Sequence, residues 1–248
     1  FEGAGSSVLP CSSGVVWAEP AGVTCGVLPE SAGDVENSKF WSAVWAGAPM
    51  NSSQTRFNGA SQVQVDPSNG DVYVSDGVGN RRVVVFDRNG KFLRQWGRQG
   101  TKEEVAAGVG GVFMTQVHSV TLGNDGLLYV TDRYGNRIEV FDKLGNFKRN
   151  IWVRNEKLPL PDTTGTALWV AFSPDPAQKY MYVTDEHYNT VDIFDRVSGQ
   201  LLGGFGQVRH QVGNLVHPHQ LAVDSKGNIY ICEEEWGRRV DKFKLVGN

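Results

Sequence analysis

The sequence predicts an all-β protein of the β-propeller class, built from four-stranded antiparallel blades of NHL-like length. Three observations predict it: one unit written four times, apolar alternation of period two within each unit, and turn residues at fixed places between the alternating runs. The unit is carried by DVYVSDGVGNRRVVVFDRNGKFLRQWG, LLYVTDRYGNRIEVFDKLGNFKRNIW, YMYVTDEHYNTVDIFDRVSGQLLGGFG and NIYICEEEWGRRVDKFK. Tyr73, Tyr129, Tyr182 and Tyr230 mark one place in it, at spacings of 56, 53 and 48 residues, which is the size of a blade.

Each unit opens with a short alternating strand, VQVD, VTLG, VAFS or LAVD. A turn containing Gly or Pro leads to a second strand that ends in an acid. The third strand runs into Phe-Asp at 83–87, 138–142 and 191–195, and an Asn-Gly, Gly-Asn or Ser-Gly turn follows. A fourth strand closes on Trp or Phe before Gly. The recurring Asp-x-x-x-Asn (Asp76/Asn80, Asp132/Asn136, Asp185/Asn189) reads as a turn device, because both side chains hydrogen-bond nearby backbone. A feature of every blade is scaffold, and a feature of some blades is a site candidate.

Residues 58–248 form the propeller segment, and residues 1–57 do not follow the repeat. The early segment is rich in Ser, Gly and Ala with Trp17, Trp41 and Trp45, and is expected to supply a closing strand or a degenerate blade. Closure removes exposed sheet edges, so a piece near 14–18 is expected to pair with the last blade, whose own strands stop at three. Four clear blades plus one blade's length of irregular chain leave three readings open: a ring of about five blades, a four-bladed core with an arm, or an incomplete six-bladed ring.

The 248 residues carry 24 basic and 27 acidic side chains, a net charge of −3, which gives no field to gather a phosphate backbone. A nucleic-acid partner is therefore not expected. Mean hydropathy is −0.31, and no apolar run is long enough for a membrane span. Cys11 and Cys25 bracket CSSGVVWAEPAGVTC, either as a disulfide or as two thiols, while Cys232 in NIYICEE reads as a packed thiol. With the sequon Asn51-Ser52-Ser53 and an opening at Phe1 rather than Met, from which any targeting segment is expected to have been removed or left unrecorded, these lean towards an exported protein.

His118 in QVHSVTLG and His219 in HPHQLAVD stand at one repeat position, 11 residues before their blade's tyrosine. Ser61 and Leu168 stand there in the other blades. Imidazoles on the innermost strands of alternate blades of a six-bladed ring suit zinc, which takes three protein ligands and keeps one open position. His217 lies two residues from His219, on the same side of an extended segment. Arg133 follows scaffold Asp132 where the other blades have Gly77, Glu186 and Glu234, and a guanidinium there suits a carboxylate. His187 and His210 receive no role.

These motifs resemble the NHL-repeat propellers, and more closely the peptidyl-α-hydroxyglycine α-amidating lyase group. The resemblance rests on YVSDGVGNRRVVVFDRNGKFLRQWG, VHSVTLG with YVTDRYGNRIEVF, and HPHQLAVDSKGNIYICEEEWGRRVDKF. It implies a zinc-dependent cleavage of peptidyl α-hydroxyglycine to peptide amide and glyoxylate, with calcium as a structural companion. On this resemblance His118 and His219 are metal ligands and Arg133 assists catalysis. Three positions depart from the pattern: Val78 stands where the family has a tyrosine, Gln220 stands where it has an acid, and no histidine precedes residue 118. The first expectation is therefore a binding or assembly propeller with a degenerate metal site at the channel mouth, taking a protein or peptide ligand at its face, with self-assembly through the N-terminal segment. The second is the metal-dependent lyase itself.

Overall fold

The structure, a computed structural model, describes residues 2–3, 16–19, 22–25, 52–153, 165–234 and 237–246. In chain order its strands are β1 (Glu2–Gly3), β2 (Val16–Glu19), β3 (Gly22–Cys25), β4 (Ala60–Val65), β5 (Val72–Asp76), β6 (Arg82–Phe86), β7 (Phe92–Trp96), β8 (Arg98–Gln99) and β9 (Val112–Phe113). There follow β10 (Val117–Leu122), β11 (Leu128–Asp132), β12 (Arg137–Phe141), β13 (Phe147–Trp152), β14 (Val170–Phe172), β15 (Tyr180–Asp185), β16 (Thr190–Asp195), β17 (Leu201–Phe205), β18 (Pro218–Val223), β19 (Ile229–Glu233) and β20 (Val240–Lys244). Among the described residues a single helix, α1 (Lys102–Ala106), joins β8 to β9. Thr101 and Glu104 close its start as a reciprocal capping box.

The strands pair as the repeat predicts. Blade 1 is β4-β5-β6-β7, blade 2 is β10-β11-β12-β13, blade 3 is β14-β15-β16-β17 and blade 4 is β18-β19-β20, all antiparallel. The fold is thus all-β with four propeller blades. Strand β1 completes blade 4, with Glu2 opposite Lys244 and Gly3 opposite Phe243. The segment expected there, 14–18, pairs elsewhere: Val16–Glu19 forms a hairpin with Gly22–Cys25. Cys11, and with it the pairing of Cys11 with Cys25, lies outside the described residues, as do Trp41, Trp45 and Asn51.

Two compact units divide the chain, one of Leu28–Asp162 holding blades 1 and 2, the other of Phe1–Val27 with Thr163–Asn248 holding blades 3 and 4. In the first, alternation turns Tyr73, Val83, Val85, Val117, Val120, Leu128 and Phe141 onto one core, on which Trp96 packs from the end of β7. The corresponding core of the second has Trp169, Tyr182, Leu221, Ile229 and Ile231, with Phe205 and Phe243 rings 4.7 Å apart. Cys232 is half-buried, contrary to a packed thiol, because alternation along β19 gives the core face to Ile229, Ile231 and Glu233.

The Phe-Asp acids fold the third turns as the sequence predicts. Asp87 accepts N–H bonds from Asn89 and Lys91, Asp142 from Leu144 and Asn146, and Asp195 from Ser198. The second-strand acids reach further than their turns. Asp76 accepts from the backbone of Asn58 (2.7 Å) and Asp132 from that of Met114 (3.0 Å), and each is paired with a fully buried arginine, Arg82 or Arg137.

Those arginines, and Arg239 in blade 4, clamp the chain that enters their blade. Arg82 donates to the carbonyls of Ser53 and Arg56, Arg137 to those of Val105, Val109 and Val112, and Arg239 in blade 4 to those of His210 and Asn214. One guanidinium thereby satisfies several carbonyls of the entering segment. Thr190 stands at this position in blade 3.

Candidate functional site

His118 and His219 stand on a bulge that recurs at the start of the first strand in blades 1, 2 and 4. The ladder slips between Ala60 and Gln62 in blade 1, between Val117 and Val120 in blade 2, and between Pro218 and Gln220 in blade 4. Ser61, His118 and His219 fall within these slips. A bulge breaks the alternation and re-aims a side chain, so the same register places a serine in one blade and histidines in two others.

A hydroxyl from the second strand braces the start of the first strand in blades 1, 2 and 3. Ser75, Thr131 and Thr184 accept the N–H of Gln62 (2.9 Å), Ser119 (2.7 Å) and Trp169 (3.1 Å). Two of them also donate onward to the neighbouring blade of their own unit: Ser75 to the His118 carbonyl at 3.4 Å and Thr184 to the His219 carbonyl at 2.8 Å. Both histidine backbones are therefore fixed by the preceding blade.

In the blade 1–2 unit, His118 is buried at 4% exposure and Arg133 is half-buried. The Arg133 backbone N–H donates to the Gln116 carbonyl at 3.0 Å, and its Nη1 donates to Gln116 Oε1 at 3.1 Å. Its guanidinium also lies over the Tyr134 ring, 5.3 Å from the centroid. Gln116 thus aims the arginine. At the equivalent place in blade 1, Gly77 has no room for any side chain, because a Cβ would collide with the Val117 carbonyl of the next blade. Val78 is exposed at 47%.

In the blade 3–4 unit, each histidine meets a carboxylate. His217 Nδ1 lies 3.2 Å from Glu186 Oε1, and His219 Nε2 lies 3.4 Å from Glu234 Oε1. His217 has φ of 51°, a left-handed backbone that costs a side-chain-bearing residue about 1–2 kcal/mol. It is held there by its N–H to Asn189 Oδ1 (2.8 Å) and by its carbonyl accepting from the Glu234 N–H (3.1 Å). The scaffold asparagine thus also sets a site residue. Gln220 sits opposite Cys232 and is half-buried. His187 stacks edge-on against Tyr188, and His210 is exposed.

The structure therefore brings Arg133 to Gln116 in one unit, and His217 and His219 to Glu186 and Glu234 in the other. Glu186 and Glu234 were not among the sequence candidates, although both stand at the Arg133 repeat position. Among the described residues no three His, Cys, Asp or Glu side chains come together as a group able to hold a metal ion.

The NHL repeat family model matches residues 114–141, the stretch that contains His118, Arg133 and Arg137. Peptidyl-glycine alpha-amidating monooxygenase A of Xenopus laevis is 37% identical over 186 residues, covering 73% of this chain and 18% of that protein. Peptidyl-alpha-hydroxyglycine alpha-amidating lyase 1 of Drosophila melanogaster is 29% identical over 186 residues, covering 71% and 33%. The chain thus spans a third or less of these two relatives. Among solved structures, the Kuenenia stuttgartiensis hydrazine synthase superposes with a TM-score of 0.55 at 16% identity, over 80% of this chain and 49% of that one, a likeness of fold alone. The class is an NHL-repeat β-propeller. Within it, the chain is similar in sequence to these amidating enzymes.

Proposed function

We propose that this chain is an exported ligand-binding propeller for peptides, in which Arg133 takes a C-terminal carboxylate. The observation that carries this is the Arg133 setting: a half-buried guanidinium aimed by the neutral amide of Gln116, on the blade that also bears His118. A planar guanidinium held in one orientation offers parallel N–H donors to a carboxylate. The similarity to enzymes named for peptidyl-glycine and peptidyl-α-hydroxyglycine supports a peptide ending in a glycine-type carboxylate. Export is supported by the Cys11–Cys25 bracket and the Asn51 sequon.

Calorimetric titration of a glycine-terminated tetrapeptide against the same peptide carrying a C-terminal amide tests the reading. The acid is expected to bind about tenfold tighter, and Arg133→Ala to abolish the difference. Equal binding of acid and amide by the unaltered protein would overturn it.

A second reading, a metal-dependent lyase, is favoured by one observation: His118 and His219 occupy the same bulged position, each with its carbonyl held by a hydroxyl. Stoichiometric zinc that is lost in His118→Ala, together with glyoxylate release from a peptidyl α-hydroxyglycine, would put that reading first. A protein without zinc that releases no glyoxylate would remove it. Calcium as a structural companion is tested by the shift of the melting temperature with a calcium chelator, and self-assembly through the N-terminal segment by sedimentation at high concentration.

A further inference from the structure

We propose that Glu139 holds a proton in the folded protein, and that this neutral carboxyl completes the Arg137 clamp on the 105–114 segment leading into the His118 strand. Asp132, Arg137 and Glu139 side chains are all at 0% exposure, so one buried guanidinium faces two buried carboxyl groups. Two ionised carboxylates against one cation would leave a net buried charge, which a low-dielectric interior strongly disfavours.

The donor directions agree. Arg137 Nε is directed at Asp132 Oδ2 (3.2 Å), Nη1 at the carbonyls of Val105 and Val109, and Nη2 at the Val112 carbonyl. Glu139 Oε1 lies 2.9 Å from Arg137 Nη2 yet has no hydrogen bond, while its Oε2 accepts the Gly111 N–H at 2.6 Å. Four of the five guanidinium hydrogens are thus directed at Asp132 and at backbone, and the remaining one, on Nη2, is left beside Glu139 Oε1.

Blade 1 solves the same problem with a different residue. Arg82 pairs with Asp76, Val84 stands at the Glu139 position, and a neutral amide, Gln95 Oε1, accepts from Arg82 Nη1 at 2.6 Å. A protonated Glu139 is the carboxyl counterpart of that amide. Burial pushes Glu139 up to about 8, against the pull of Arg137 and the Gly111 N–H and with a further push from Asp132. Those are the charged groups that face it; opposite it on β13 stands Asn150, and the charged side chains of α1, Lys102, Glu103 and Glu104, lie on its outer side.

The clamp is not one of the site candidates, but it sets the approach of the chain to Gln116 and His118. Hydrogen exchange of 105–114, corrected for intrinsic rates, is the test. The segment is expected to lose about tenfold in protection between pH 6.5 and 9, while 53–58, held by Arg82, stays level. Glu139→Gln, which mimics the neutral carboxyl, is expected to keep full protection at both pH values, and Glu139→Ala to lose it at both. Glutamine as loose as alanine at pH 6.5, or unaltered protein equally protected at both pH values, would sink the proposal. Should the variants fail to fold, infrared titration of a Glu233→Gln protein decides: a buried neutral-carboxyl band that disappears between pH 7 and 9 supports it, and no such band refutes it.

Discussion

Blades 1 and 2 share strand order, register, bulge and clamp, and three of the equivalent positions at which they differ carry chemistry. Blade 1 has Ser61, Gly77 and Val84 where blade 2 has His118, Arg133 and Glu139. The scaffold therefore tolerates chemistry at the bulge, after the second-strand acid, and in the middle of the third strand. Each substitution has its own physical condition. The bulge accepts a histidine because Ser75 fixes the backbone there whatever the side chain. Arginine fits in blade 2 with Gln116 to brace it, whereas the Val117 carbonyl closes the blade 1 position to everything but glycine.

The largest effect that tests this comparison is loss of a clamp. Arg137→Ala and Arg82→Ala leave buried acids and loop carbonyls without their cation, and each is expected to cost about 3–5 kcal/mol in chemical denaturation. A harmless Arg82→Ala would break the equivalence of the two blades.

Gly77→Ala comes next, at about 1–3 kcal/mol, because backbone must move to admit a Cβ. The same substitution at an exposed glycine is the control.

The third effect is pH dependence, which should distinguish the blades. Glu139 has a folded value raised to about 8 above an ordinary value of 4.5, so unfolding releases its proton throughout the interval between them. Its contribution to stability is full below about pH 4.5, falls by about 1.4 kcal/mol per pH unit, and levels above about pH 8. Asp132, raised to about 6, and Glu233, raised to about 7 mainly by burial, add slopes of the same sign. Melting curves of unaltered protein against Glu139→Gln isolate the first: the gap between them should widen from pH 5 to 8 in favour of glutamine.

Arg133→Ala is the smallest in stability, expected within about 0.5 kcal/mol, yet should cost about tenfold in affinity for a carboxylate-ended peptide. A large loss of stability would make Arg133 scaffold, like Arg137.

The sorting of residues by recurrence worked for the turns and passed over the arginines. Asp87, Asp142 and Asp195 recur and do one local job. Arg82, Arg137 and Arg239 are missing from blade 3, where Thr190 stands, and are still scaffold. Their signal was present in GNRR, GNRI and GRRV, each five or six residues after the second-strand acid. The helix start was legible too, since T-K-E-E is a capping box. Glu186 and Glu234 were visible as positions but not as histidine partners, because the pairing depends on how the bulge turns His217 and His219.

The sequence by itself determined the blade repeat, the strand boundaries and the turns, since period-two alternation and Asp, Asn and Gly side chains act within about four residues along the chain. Tertiary structure decided what depends on distant segments meeting. It chose Glu2–Gly3 over 14–18 as the strand beside β20, it closed the Gly77 position, and it joined Arg82 to Ser53, Arg137 to Val105 and Arg239 to His210 across 29, 32 and 29 residues. Those contacts carry no local pattern. They follow from burial, which leaves each loop carbonyl to find a donor wherever the packed blades bring one.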